Sequence, residues 1–286
     1  MSVVQDATRS PAVHRTDARS LDMAFPTSAL AAALTVVATG ALTAPAASAA
    51  ERPEPRTHSL LQLNLCLSGL AGCYPRTAYP TVLDEAAAVI ERNSPDAVTV
   101  NEGCSGDAAT LAERTGYHVA FTTVIYRGAP LPCVKPTGRG VFGNAVLTKA
   151  PIRTTEEAPY AAQNGVEERR WLCATTTDDA TTCTSHLTAS GPELDPTRQA
   201  QCDELGAQLR HEARRGREVW FAGDVNRRTT CAPDGYWHRD DDAATQAVGI
   251  QHVYGTQSRL KGAVSQVIPM TYTDHDALLV TAATRP

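Results

Sequence analysis

Apolar residues in this chain fall mostly into short runs with strand spacing, separated by a few stretches with helical spacing. His58–Cys66 (HSLLQLNLC) predicts an apolar strand interrupted by Asn64. Leu83, Ala86, Ala87 and Ile90 share one helical face, Thr81 and Asp84 stand at capping-box spacing, and Ser94-Pro95 ends the helix. Ala97–Val100 predicts a short buried strand and Asp107–Thr115 a second helix. Phe142–Thr148, Arg170–Thr176 and Thr181–Leu187 predict strands. Pro196–Arg215 predicts a long polar helix stopped by Gly216, and Glu218–Ala222, Gly249–Tyr254 and Ala277–Thr281 predict the closing strands. Gly and Pro are spread throughout, with no repeat or Ser/Gly-rich linker. The pattern is that of one α/β domain with more strands than helices.

The N-terminal segment has a different character. Ala29–Leu42 is uncharged, too short for a comfortable membrane span, and is followed by Ala47-Ser48-Ala49, an A-x-A cleavage signal. Residues 1–49 therefore read as a secretory signal peptide, although Met1–Asp22 balances its arginines with aspartates, and residues 50–286 as the mature domain. No other apolar run is long enough to span a membrane, so a secreted chain without stable membrane association, and a monomer, is expected.

Composition narrows the function by exclusion. With 42% apolar residues the chain can build a real core, and a net charge of -5 argues against binding nucleic acid by bulk positive charge. The 8 cysteines all follow the cleavage signal and lack the C-x₂-C pairs of a zinc site, so they read as disulfides. Asp178-Asp179 is a turn signal, and folding about it makes Cys173 and Cys183 direct cross-strand neighbours. Cys66–Cys73, Cys104–Cys133 and Cys202–Cys231 are paired by proximity in the chain.

Candidate chemistry sits where apolar strands end: Asn64, Glu102, His186, Asp224 with Asn226, and Asp274 with His275. Asp224 and Asn226 are two apart, so an extended backbone points both to one face. In order, Leu63-Asn64, Asn101-Glu102-Gly103-Cys104, Gly143–Thr148, Glu168-Arg169-Arg170, Ser185-His186-Leu187, Gly223-Asp224-Val225-Asn226 and Thr273-Asp274-His275 resemble the endonuclease/exonuclease/phosphatase superfamily, the fold of deoxyribonuclease I.

The resemblance implies an α/β four-layer sandwich, two packed mixed β-sheets flanked by helices, with the active site at one edge. It implies hydrolysis of a phosphate ester with Mg²⁺, or Mn²⁺ or Ca²⁺, held by Glu102 with Asn64 and Asp274 nearby. Asp224 would activate water, Asn226 would bind a phosphate oxygen, and His186 and His275 would flank the phosphate. Arg170, at the mouth of its strand, is preferred to Arg169 as a phosphate contact, and Arg227 is a further substrate-binding candidate; Arg210–Arg217 could also meet phosphates.

Two departures from the family pattern concern the histidines. Gln251 stands where the family usually has an aspartate behind a histidine, and an amide there, expected behind His275, cannot stabilise an imidazolium by charge. Residues 116–155 contain no acidic residue to serve the other histidine, whereas Asp240-Asp241-Asp242 could supply a substitute carboxylate. The leading expectation is a secreted nuclease acting on DNA or RNA. The alternatives are a phosphatase or phospholipid (sphingomyelin) phosphodiesterase on the same scaffold, with Tyr236-Trp237 the one exposed-looking aromatic pair, and a catalytically impaired binding protein.

Overall fold

Parallel neighbours in a sheet need a crossover long enough to bring the chain back to the same end, and two such crossovers organise this molecule. The computed structural model describes residues 56–189 and 191–285; residues 1–49, read as a signal peptide, lie outside the described residues. In chain order the strands are β1 (Thr57–Asn64), β2 (Ala97–Cys104), β3 (His118–Thr123), β4 (Ile125–Tyr126), β5 (Ala129–Pro130), β6 (Phe142–Thr148), β7 (Ile152–Pro159) and β8 (Glu167–Glu168). They continue with β9 (Arg170–Thr176), β10 (Ala180–Ser185), β11 (Glu218–Asp224), β12 (Tyr236–Asp240), β13 (Gln251–Thr256), β14 (Leu260–Ile268) and β15 (Ala277–Thr284). The helices are α1 (Thr81–Asn93), α2 (Ser105–Thr115) and α3 (Asp195–Arg214).

One sheet runs β14-β15-β1-β2-β6-β3 and the other β12-β13-β11-β10-β9-β7, with a small sheet β5-β4-β8 beside them. β1 is parallel to β2 across the crossover through α1, and β10 is parallel to β11 across the crossover through α3. The other pairings are antiparallel, which makes both large sheets mixed.

The layers follow from which side chains are apolar. Leu61 and Leu63 of β1, Val98 and Val100 of β2 and Leu147 of β6 face Val82, Ala86, Ile90 and Leu111 of α1 and α2. On the other side Phe221, Tyr254 and Cys183 face Leu205 and Leu209 of α3. Alternate positions on the same strands fill the space between the sheets: Leu60, Leu278 and Val280 meet Trp220, Ala222 and Val253, and Val146 meets Leu172 and Ala174. The result is helix, sheet, sheet, helix.

The eight interior strands of the two large sheets are those the apolar runs predict. The four edge strands, β14, β3, β12 and β7, are not, because an edge strand has little buried face to advertise: β7 alternates exposed and half-buried residues along most of its length. The capping box also fails. Pro80 occupies the N-cap of α1 with no side-chain cap, and Thr81 is already helical; the turn is closed by the Thr81 and Leu83 backbone amides donating to Ala78 and Pro80.

All four cysteine pairs form: Cys66–Cys73, Cys104–Cys133, Cys173–Cys183 and Cys202–Cys231, leaving no free cysteine. Cys173 and Cys183 are register partners on β9 and β10. Beside Cys104–Cys133, a buried Arg139–Asp107 ion pair at 2.7 Å fastens the loop before β6 to α2, with Arg139 also donating to the Leu67 carbonyl. Thiol titration of the denatured, non-reduced protein should find no free thiol. Replacing Cys173 and Cys183 together by serine should lower unfolding free energy by about 3 kcal/mol at most, given the short loop the bridge closes; a loss of nothing measurable would mean that the sheet ladder alone fixes this hairpin.

Candidate active site

The C-terminal ends of the two parallel pairs meet at one rim of the sandwich, and they deliver the site residues. Asn64 ends β1, Asn101 and Glu102 lie toward the end of β2, His186 follows β10, and Asp224 ends β11 with Asn226 two residues beyond. The loop before β15 brings Asp274 and His275, tied down by the Thr273 hydroxyl donating to the Asn64 carbonyl at 2.7 Å.

Glu102 owes its direction to irregular backbone. The β2–β6 register shifts between Val100 and Gly103, and Glu102 takes a left-handed conformation with φ 52°. A bulge of this kind re-aims one side chain out of the ladder, here into the rim. Asn64 then links the carboxylates, its Nδ2 donating to Glu102 Oε1 and to Asp224 Oδ2, both at 3.1 Å. Asp224 Oδ1 accepts the Asn226 backbone N–H at 2.9 Å, and Asn226 Nδ2 donates to the Leu187 carbonyl at 3.1 Å. Two imidazoles flank this group. His275 Nε2 lies 3.6 Å from Asp224 Oδ2 and 4.0 Å from Asp274 Oδ1; His186 lies 3.8 Å from Asp224 Oδ2 and 4.0 Å from Glu102 Oε1.

Burial governs the electrostatics. It pushes the Glu102 carboxyl up to about 7 and raises that of Asp224, against the opposing hydrogen bonds from Asn64. His186 is held well below the ordinary imidazole value by burial, then by Arg169 and His275. Asp274 Oδ1 is buried with no hydrogen-bond partner. Two carboxylates raised by burial, Glu102 and Asp224, converging with the orphaned oxygen of Asp274, fit a hard divalent cation bound through Glu102 and Asp274. Asn64 turns its nitrogen to both carboxylates, so in this arrangement it orients Glu102 instead of offering an oxygen.

Several placements differ from the sequence expectations. Arg170 is already taken up by protein partners: its guanidinium contacts Glu168, Glu157 at 3.5 Å and the Thr122 hydroxyl at 3.3 Å. Arg169, just before β9, is buried near the site, paired with Glu167 at 2.9 Å and donating to the His186 carbonyl at 3.4 Å, with its Nε unpartnered. Gln251 does not back His275. Its amide nitrogen donates to Asp241 Oδ2 at 3.2 Å and to the Asp276 carbonyl at 2.6 Å, its oxygen accepts from Gln62 at 3.3 Å, and the buried His275 Nδ1 has no partner. The carboxylate of this corner is Asp241, fully buried against Gln251 and pushed up to about 6 by burial. Arg227 is half-buried near the start of α3, held by Thr229 and Gln199. Arg215 and Arg217 pair with Glu212 at the far end of β11 from Asp224, about 20 Å of strand away. Tyr236 is buried with its hydroxyl on the Leu209 carbonyl, and Trp237 packs on Trp220, so this pair forms no apolar hairpin.

The floor of the site is a polar network whose partners the sequence alone does not identify. Asn101 Oδ1 accepts the Asp224 backbone N–H at 2.7 Å and Gln62 Nε2 at 2.9 Å, while its Nδ2 donates to Asn144 at 3.0 Å and Thr184 at 3.3 Å. The available signal was a set of polar residues (Gln62, Thr99, Asn101, Asn144) inside otherwise apolar strands.

Comparison with known proteins follows the same outline. The profile of the Endonuclease/Exonuclease/phosphatase family matches residues 63–275. No curated protein matches the chain significantly. Similar solved structures include the human Nocturnin catalytic domain with bound sulfate (15% identity, TM-score 0.62, 81% of this chain and 94% of that one). An endonuclease/exonuclease/phosphatase from Beutenbergia cavernae has 19% identity and TM-score 0.60, covering 80% and 72%. D. rerio TDP2 complexed with a single strand DNA product has 13% identity and TM-score 0.56, covering 80% and 99%. At these identities the likeness is one of fold.

The raised Glu102 value has a testable sign. A carboxyl held at about 7 in the folded protein and near 4.5 when unfolded favours folding below pH 4.5, and that advantage is lost as pH rises through 7. In chelator, the wild type should therefore lose up to about 3 kcal/mol relative to Glu102→Gln across this window. Parallel urea-unfolding stabilities for the two proteins from pH 4.5 to 8 would contradict it.

Proposed function

This chain belongs to the Endonuclease/Exonuclease/phosphatase family, and from that premise we propose that it is a secreted, divalent-metal-dependent phosphodiesterase that hydrolyses DNA or RNA. The observation that carries the reading is the convergence of Glu102, Asp224, Asn226, His186, Asp274 and His275 on one rim, with Asp224 Oδ2 within 4 Å of both imidazoles.

Glu102 and Asp274 are the residues that would hold Mg²⁺ or a similar ion, oriented by Asn64; when bound, it supplies positive charge to the phosphate oxygens. Asp224, its Oδ1 fixed by the Asn226 amide, is raised in basicity by burial and accepts a proton from the attacking water. As the water oxygen bonds to phosphorus, the ester P–O bond breaks, and His275 Nε2 donates a proton to the departing oxygen. His186, kept neutral by burial, donates a hydrogen bond to a phosphate oxygen, as does the second N–H of Asn226 Nδ2. Arg169 adds fixed positive charge behind them, and Arg227 is positioned to contact a longer strand.

The DNA product held by D. rerio TDP2 supports a nucleic-acid substrate. The internal disulfides support secretion, and no helix among the described residues is long and apolar enough to cross a membrane.

With Mg²⁺ present, the purified protein should cleave plasmid DNA or RNA in preference to sphingomyelin and a phosphomonoester. His275→Ala should lower kcat about 10²–10⁴-fold with the fold intact. Hydrolysis of sphingomyelin or the monoester alone would replace the nuclease reading with another phosphoesterase, and an inactive wild type on all four substrates would favour a binding role.

A further inference from the structure

The outer face of β12–β13 carries a second cluster of metal-ligating side chains that the proposed hydrolysis does not use. His238 and Asp240 are two apart on β12, and their register partners on β13 are Tyr254 and His252. Strand alternation therefore puts all four on one face, the side covered by α3, while Gln251 and Asp241 point inward to the active-site floor. A ring nitrogen of each histidine and an Asp240 oxygen lie within 4.8 Å of one another.

We propose that His238, Asp240 and His252 form a binding site for a borderline transition-metal ion, Zn²⁺ foremost, distinct from the oxygen-ligand site at Glu102. Four observations carry this. His238 Nε2 is buried without a hydrogen-bond partner and lies 3.4 Å from Asp240 Oδ2, a distance that an ion between them would bridge. The two imidazoles face each other with centroids 4.5 Å apart, an approach that would be unfavourable were both charged, and burial lowers both below the ordinary value. His252 Nδ1 lies 2.7 Å from the Tyr254 hydroxyl, which is itself anchored as acceptor of the Cys231 amide at 2.9 Å. A ligating histidine has its second nitrogen fixed in this way by an outer-shell partner; His252 Nε2 lies 3.4 Å from the Gly249 carbonyl, and on metal binding the proton would sit on Nδ1, donated to Tyr254, so that Nε2 turns its lone pair to the ion. Finally, the His238 and Asp240 side chains are 25% and 24% exposed, so an ion can enter from solvent and keep a water as fourth ligand.

Two nitrogens and one carboxylate select Zn²⁺, Co²⁺ or Ni²⁺ over Mg²⁺ or Ca²⁺. The consequence for the molecule is mechanical. An ion here pins β12 to β13 at the Asp240–His252 pair, one residue from the Asp241–Gln251 contact beneath the active site.

The test is a Co²⁺ titration of the untagged, chelator-stripped protein in excess Mg²⁺, followed by visible absorption. One Co²⁺ per chain with ligand-field bands of four-coordinate intensity, displaced by one Zn²⁺, is expected. His238→Ala removes a side chain that is only one-quarter exposed and should weaken binding at least about tenfold, with Asp240→Asn doing the same by removing charge. Glu102→Gln should leave the bands unchanged. Absence of bands in the wild type, full affinity in both His238→Ala and Asp240→Asn, or loss of the bands in Glu102→Gln would overturn the proposal.

Discussion

The buried amide of Asn101 is the constraint on which the rest of the site depends. Two β-sheets packed face to face would ordinarily meet through apolar side chains alone, as they do around Trp220 and Leu278. At the rim, however, the fully buried Asn101 reaches across the gap and accepts the backbone N–H of Asp224 from the opposite sheet. A buried amide left unpaired costs on the order of 1–3 kcal/mol, so each sheet is held to the position that satisfies it. Gln62, Thr99, Asn144 and Thr184 extend the network on either side. The sheets are thus registered against one another by hydrogen bonds where the chemistry requires it and by apolar packing elsewhere.

That registration explains how two separate pieces of chain make one site. β1 and β2 belong to the first sheet, β10 and β11 to the second, and each pair is parallel because a helix carries the chain back. Parallel strands end together, so Asn64 and Glu102 arrive from one sheet as His186 and Asp224 arrive from the other. Bringing these carboxylates together in a buried rim is costly, and the raised values at Glu102 and Asp224 register that cost. A divalent cation held there would offset it, which is how the proposed metal-assisted hydrolysis would draw on the architecture.

The legible part of this structure was the part with two-sided burial. β1, β2, β6, β9, β10, β11, β13 and β15 lie inside their sheets, and their apolar runs stand out along the chain. β7 (IRTTEEAP) and β14 (LKGAVSQVI) lie at edges, and their sequences read as loops because water covers most of their side chains. The site residues were legible for a related reason, since a polar residue closing an apolar strand is conspicuous, as at Asn64, Asp224 and His186. What could not be read was direction. Arg169 and Arg170 are indistinguishable until the strand's alternation is fixed. The partner of Gln251 depended on β12, an edge strand whose existence was not predicted, and so Asp241 could be offered only as one of three candidate carboxylates, Asp240–Asp242, with no partner assigned.

The proposed hydrolysis requires a cation held at Glu102. Its most direct test measures Mn²⁺ occupancy by electron paramagnetic resonance alongside single-stranded DNA cleavage in the same samples. Turnover should rise in proportion to one bound Mn²⁺ per chain, and both occupancy and turnover should be lost in Glu102→Gln. Cleavage at the full rate in chelator-stripped protein, or undiminished Mn²⁺-dependent cleavage by Glu102→Gln, would contradict it.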